Sequence, residues 1–224
     1  MPERAKEVFE NHVVELALNN KKTGVQVINY RKPNTGMYAM RIILDGYYIH
    51  ISGDVGTATY RTTWINDILK TDYQSLHVGY FSEKLVSCKR DKYELDKDKA
   101  RKDIKEFYED ILESEFDDEQ LALLFNPDKS ASDIKFDIYV EYEEMLENTD
   151  VKNVIKFYEI LEDYDAYEHF TSVVASSRIL ETDNHDLWES FQSIGRTLSY
   201  SMHWYLYAIK DIAKQLQGSE VSGG

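Results

Sequence analysis

Residues 186–216 read DLWESFQSIGRTLSYSMHWYLYAIKDIAKQL, and the reading of this stretch decides the fold. Trp188, Phe191, Leu198, Met202, Tyr205, Ile209, Ile212 and Leu216, with Gly195 in step, recur alternately every three and four residues. That spacing predicts one long helix over the whole stretch. Asp183 and Asn184 supply N-cap chemistry, Asp186 and Glu189 place negative charge on the first turns, and Lys210 and Lys214 lie toward the other end. Gly218 is the expected stop. The positions flanking the seam, among them Ser199, Ser201, Ala208 and Ala213, are uncharged and mostly small, unlike the charged flanks of a two-stranded zipper. Neighbouring helices of the same chain are therefore expected on both sides. Tyr200, Trp204 and Tyr207 fill the remaining face, so the helix either lies central in a bundle or carries a homodimer interface through these three residues.

Upstream of this helix the chain is strongly acidic. The formal net charge is −15 over 224 residues, and it is unevenly spread: residues 1–90 carry +3, residues 91–170 carry −16 and residues 171–224 carry −2. A chain of this kind is repelled by nucleic acid and by anionic membrane and attracted to basic surfaces. Helical spacing puts Glu106, Glu109, Asp110 and Glu113 on the outside of one predicted helix, and Asp137, Glu141 and Glu144 on the outside of another. Glu115, Asp117, Asp118 and Glu119 cluster between helices. Carboxylates repeated at this spacing can imitate a phosphate backbone for a protein lined with Lys and Arg. They are equally what a solvated acidic helix looks like.

The N-terminal third reads differently. A first helix is predicted over 3–20, then strands over 25–30, 37–44, 47–52 and 57–61. The separating turns are Lys32-Pro33-Asn34-Thr35-Gly36, Asp45-Gly46 and Gly53-Asp54-Val55-Gly56. A short helix is expected over 64–70, capped by Thr62 or Thr63, and a strand or loop over 76–86. The remaining helices fall over about 98–112 and 119–125, then from Ser130 or Ser132, from Asp150 and over 164–180. The expected organisation is an α+β sheet domain at 1–90, an acidic helical bundle at 91–217 built on the final helix, and a disordered tail at 218–224.

Chemistry-bearing motifs are sparse. Gly53-Asp54-Val55-Gly56 suggests a phosphate loop, but it joins two strands and lacks the following helix and Lys-Ser/Thr pair. Asp54 with His50 and His77 is a possible acid–base or metal cluster, although no ligand-spaced histidine pair exists. Cys88, the single cysteine, excludes an intramolecular disulfide and a multi-cysteine metal site. No cofactor motif, signal peptide or bilayer-spanning run is present, so a cytoplasmic protein is expected.

Two stretches resemble segments of a family of small phage and prophage accessory proteins. These are Gly46-Tyr47-Tyr48-Ile49-His50-Ile51-Ser52-Gly53-Asp54-Val55-Gly56-Thr57-Ala58-Thr59-Tyr60 and the end of the chain, Trp204-Tyr205-Leu206-Tyr207-Ala208-Ile209-Lys210-Asp211-Ile212-Ala213-Lys214-Gln215-Leu216. The resemblance implies a phage origin and brings no catalytic motif. Compact, acidic, non-catalytic phage proteins are often inhibitors of bacterial defence, anti-CRISPR proteins among them, and the analogy extends that role to this chain. The leading expectation is a DNA-mimicking inhibitor, without cofactor, that blocks the basic channel of a host nuclease complex through its acidic helices. The alternatives are a small-molecule- or nucleotide-binding protein or enzyme using residues 53–56, and a phage structural or oligomerisation protein.

Overall fold

The computed structural model describes residues 2–177 and 193–221, with side chains for residues 3–177 and 193–218. In chain order the first elements are α1 (Pro2–Phe9), β1 (Val13–Asn19), β2 (Gln26–Arg31), β3 (Met40–Asp45), β4 (Tyr48–Gly53) and β5 (Ala58–Arg61). Next come α2 (Val78–Glu83), β6 (Leu85–Cys88), β7 (Tyr93–Leu95), α3 (Lys97–Leu112), α4 (Asp118–Leu124) and α5 (Ala131–Glu141). A 3-10 turn (Glu143–Glu147), α6 (Thr149–Asp163), α7 (Tyr167–Ser176), β8 (Arg196–Leu198) and α8 (Tyr200–Val221) complete the order. The chain divides into two units, residues 1–92 with 198–224, and residues 93–197. The α+β architecture expected from the sequence is present: an N-terminal antiparallel sheet, then helices ending in a long one.

In the first unit β1 to β6 form one sheet in sequence order, every neighbour antiparallel. Register lines Ile28 up with Ile42, Ile51 and Ala58 across four strands, and Leu44 with Ile49 and Tyr60 across three. All seven are essentially inaccessible to water. The strand period of two then puts Asn29, Arg41, His50 and Thr59 on the opposite face, where all remain at least partly exposed. Phe9 of α1, Phe81 of α2, and Met202, Tyr205, Ile209 and Ile212 of α8 close over the apolar face. The seam recognised in the sequence is thus real from Met202 onward, but it packs on the sheet. The acidic helices have their own core, in which Ile104, Tyr108, Ile134, Ile138 and Phe157 are buried. The assignment of residues 91–217 to one bundle built on the final helix is corrected accordingly.

Several predicted elements also shift. The helix placed over 3–20 ends at Phe9. Asn11 adopts a left-handed φ of +66°, and residues 13–19 pair with β2. No helix forms at 64–70, and the Thr62 hydroxyl, rather than capping a turn, shares its proton between the carbonyls of Trp64 at 2.7 Å and Tyr47 at 3.0 Å. The stretch 76–86 holds α2 and the start of β6, with α2 capped when the Tyr80 N–H donates to His77 Nδ1 at 3.2 Å. The long helix starts at Tyr200, since Gly195 sits at φ +63° in a turn and residues 196–198 pair with β7. A Cβ at Gly195 would lie 2.7 Å from Ala100 Cβ, which makes glycine obligatory there. Asp183, Asn184, Asp186, Trp188, Glu189 and Phe191 lie outside the described residues. At the other end Gly218 does not stop α8, which runs to Val221 and takes up part of the expected tail.

Candidate functional site

Unit by unit, the charge asymmetry is sharper than by thirds. Residues 93–197 hold 29 Asp and Glu against 11 Lys and Arg, a net of −18, whereas the sheet unit is +3. Helix α3 is nevertheless not an uninterrupted carboxylate ladder. Its buried stripe is Ala100, Ile104, Tyr108 and Leu112. Outside, Lys102 pairs with Glu106 at 3.4 Å and Lys105 with Glu109 at 3.3 Å, one helical turn apart, and Lys99 pairs with Asp103. Such pairs add only about 0.3–0.5 kcal/mol each. Their larger effect is to cancel much of the field of that face. Of the four α3 carboxylates singled out in the sequence, only Asp110 and Glu113 have no ion pair among the described residues.

The carboxylates that the fold does gather come from helix junctions. Asp117 is the N-cap of α4: its Oδ1 accepts the Glu119 and Gln120 N–H groups at 3.1 and 3.0 Å, and Gln120 Oε1 accepts the Asp117 N–H in return. Asp118 and Glu119 occupy the first turn of α4, where its dipole favours negative charge. Tyr142 closes α5; burial, then the charges of Glu119, Asp117 and Glu141, raise its phenol pKa, so carboxylates from two helices act on one ring. Glu115 accepts a hydrogen bond from Asn148 Nδ2 at 2.7 Å, and Asn148 Oδ1 caps α6. Burial, then Glu115, raises the carboxyl pKa of Asp150 in the first turn of α6. Glu144 is exposed in the 3-10 turn, while Asp137 is engaged by Lys129. Among the described residues no Lys or Arg pairs with Glu115, Asp117, Asp118, Glu119, Glu141 or Glu144. This junction presents negative charge with little pairing, in which Asp117 is fixed as a helix cap, Glu115 is held by the cap residue Asn148 and Lys129 acts on Glu141, an arrangement suited to electrostatic recognition.

The sequence reading overlooked Phe136, Tyr139 and Val140 on α5, which are exposed. The available signal was their i, i+3, i+4 spacing on the side of α5 opposite Ile134 and Ile138. It also passed over His12, only 4% exposed, whose ring packs against Phe9 and Tyr30 with neither nitrogen hydrogen-bonded.

The other candidates resolve into structural roles. Asp54 Oδ2 accepts the Tyr38 N–H at 2.8 Å, and the Asp54 N–H donates to the Ala39 carbonyl at 2.9 Å, tying the loop before β3 to the turn after β4. His50 faces Thr59 across the strands, 3.2 Å from Nδ1 to Oγ1, and stacks on Tyr48. His77 is a helix cap. The three residues do not converge, and among the described residues no group of three His, Cys, Asp or Glu side chains is placed to hold a metal ion. At Gly56, φ is +124°, and a Cβ would lie 2.7 Å from the Tyr205 hydroxyl. The glycines of this turn therefore answer to close packing. A cavity of about 630 Å³ beside β1 and β2 is lined by Arg31, Pro33, Asn34 and Thr35, and one of about 450 Å³ by Asn20, Gln26, Asn66 and Asp67. Neither includes His50 or Asp54. Cys88 is half-buried and adjoins two phenols; burial, then the Cys88 thiol, pushes Tyr205 up to about 12.

The aromatic face of α8 packs within its own unit. Tyr207 stacks on Phe9 at 5.8 Å, Trp204 meets Phe9 and Tyr38 edge-on, and the Arg4 guanidinium lies 5.1 Å over Tyr200. Tyr200 alone of the three is exposed, at 37%. No helix among the described residues is long and apolar enough to cross a membrane. Compared with protein-family models, with curated proteins and with solved structures, the chain matches none.

Proposed function

We propose that this chain is a non-catalytic inhibitor whose acidic helical unit occupies a basic, nucleic-acid-binding surface on another protein. A bacterial defence nuclease of CRISPR type is the target that the phage resemblance suggests, which would place the chain in the host cytoplasm. The observation carrying this reading is the junction of α4, α5 and α6: Asp117 caps α4, Glu115 is held by the α6 cap Asn148, Glu119 and Glu141 act with Asp117 on the Tyr142 ring, and among the described residues none of the four forms an ion pair with lysine or arginine. Duplex DNA carries one negative charge per roughly 1.7 Å of axis, and a surface built to bind it is attracted to any rigid array of anions. A net of −18 on one unit also steers association from a distance, in a manner that salt weakens. The same charge disfavours direct binding to nucleic acid or to an anionic membrane.

The test is displacement. Labelled duplex DNA bound to purified CRISPR effector nucleases is titrated with the chain and followed by fluorescence anisotropy. Release near one equivalent on at least one effector, weakened by salt and by Glu115→Gln/Glu119→Gln/Glu141→Gln/Glu144→Gln, is expected. Release that persists unchanged in the quadruple variant would sink charge mimicry, and release from no effector would remove the proposed target. Glu106 and Glu109 are poor places for this test, because replacing them frees Lys102 and Lys105 and changes α3 itself.

A further inference from the structure

Helix α5 is apolar on two opposite sides. Ala131, Ile134 and Ile138 are buried in the core of the acidic unit. Phe136, Tyr139 and Val140 stand together on the far side, with 65%, 57% and 62% of their surface exposed. Single exposed apolar side chains are ordinary, but three large ones side by side form an apolar patch. Helical geometry puts Asp133 beside this stripe, with Asp137 and Glu141 following along the same edge. Glu143 and Glu144 are exposed in the next turn. The cations nearby are Lys135, and Lys129, which is already held by Asp137. The stripe is therefore an apolar strip with a predominantly negative rim.

We propose that Phe136, Tyr139 and Val140 anchor a cationic amphipathic segment of the partner protein. Its apolar side chains lie on the stripe, and its Lys and Arg face Asp133, Glu141 and Glu144. This rests on the reading of the acidic unit as a binder of basic protein surfaces, and it adds what retains the partner once charge has attracted it. Charge complementarity mainly sets encounter rate and selectivity, whereas buried aromatic anchors set how slowly a complex comes apart. The rim selects the occupant. Two copies of this chain meeting through α5 would oppose like charges, and an anionic bilayer would be repelled.

The test uses the full chain, isotopically labelled, and two short synthetic peptides with equal numbers of lysines. In one the lysines alternate with leucines so that the leucines share a helical face; the other is oligo-lysine with glycine spacers. The Leu/Lys peptide is expected to bind about tenfold tighter or more, with NMR shifts centred on α5. Phe136→Ser/Tyr139→Ser/Val140→Ser should reduce that affinity to the oligo-lysine level. These side chains are exposed, so the fold should persist, and circular dichroism checks that it does. Equal affinities for the two peptides, or a triple variant that binds the Leu/Lys peptide as before, would overturn the anchor and leave the charge reading standing. Absence of binding by both peptides would overturn the charge reading as well.

Discussion

Substituting Gly56 with alanine tests whether the turn at residues 53–56 is a packing device or a ligand loop. The new Cβ would sit 2.7 Å from the Tyr205 hydroxyl and 3.4 Å from Arg90 Nε, on a backbone held at φ +124°. Tyr205 has no room to retreat: it is fully buried, edge-on to Tyr60 at 6.4 Å, with its hydroxyl donating to the Val55 carbonyl at 3.4 Å. An L side chain at such a φ costs about 1–3 kcal/mol, and disturbing the hydroxyl contact adds about 1 kcal/mol. The smaller entropy of the unfolded alanine chain returns about 0.4–1 kcal/mol. The net loss is about 1–3.5 kcal/mol, a fall in Tm of about 2–14 °C for a chain of this size. Near-UV circular dichroism during thermal and urea unfolding reads it. Tyr205→Phe alone should cost about 1 kcal/mol. Because it removes the atom in the way, combining it with Gly56→Ala should recover about 1 kcal/mol relative to additivity. A stable Gly56→Ala protein, or strictly additive losses, would refute the packing explanation and return the turn to candidacy as a binding loop.

Other expectations follow from single contacts. Asp54→Ala should destabilise the sheet unit by about 0.5–1.5 kcal/mol by removing the acceptor of the solvent-accessible Tyr38 N–H, with peptide and partner binding by the acidic unit unchanged. Asp117→Ala removes a capping box and should cost about 1 kcal/mol, read by urea unfolding of the helical signal. His12 is held below its ordinary pKa by burial, which outweighs the facing carbonyls of Tyr38, Glu10 and Phe9, with Lys32 adding a smaller depression. Its neutral form is native, so its contribution is complete above about pH 6.5 and is lost as pH falls below that, by at most about 1.4 kcal/mol per unit. Protonation of carboxylates in the acidic unit acts over lower pH, so the difference between wild type and His12→Phe isolates the histidine. The stability of wild type relative to His12→Phe should fall between pH 7 and pH 5 if the ring is uncharged in the native state; a constant difference would refute it.

Much of the sheet was legible because its turns are written in backbone chemistry. Asp45-Gly46 between apolar runs demands a hairpin, and Tyr48–Gly53 pairs back on Met40–Asp45 as that signal requires. Residues 13–19 were not legible, since Val13, Leu16 and Ala17 fit a helical stripe about as well as a strand. What decides is pairing with β2, a non-local event. Residue 195 misled in the opposite way. A glycine within a heptad seam is tolerable in a helix, and only its packing against Ala100 and Leu95, on a backbone at φ +63°, reveals that residue 195 lies in a turn before β8. The C-terminal seam was read correctly from Met202 as a buried face, but an apolar helix face does not specify whether a sheet or other helices will cover it. At the candidate site the acidic residues were visible, and their compensation was not. Lys102 and Lys105 lie in the same sequence as Glu106 and Glu109, yet the field that survives depends on which caps and junctions the chain builds. Asp117 was read as one charge in a cluster, and it is also the residue that starts α4.

The most direct measurement is quantitative affinity capture from bacterial lysate with the full chain. It is made at moderate and at high salt, beside Glu115→Gln/Glu119→Gln/Glu141→Gln/Glu144→Gln. Nucleic-acid-binding proteins with basic channels, a defence nuclease among them, should be enriched by the wild type at moderate salt. They should be released at high salt and absent from the variant. The same proteins retained by wild type and variant alike, or retained through high salt, would contradict recognition through the acidic helices.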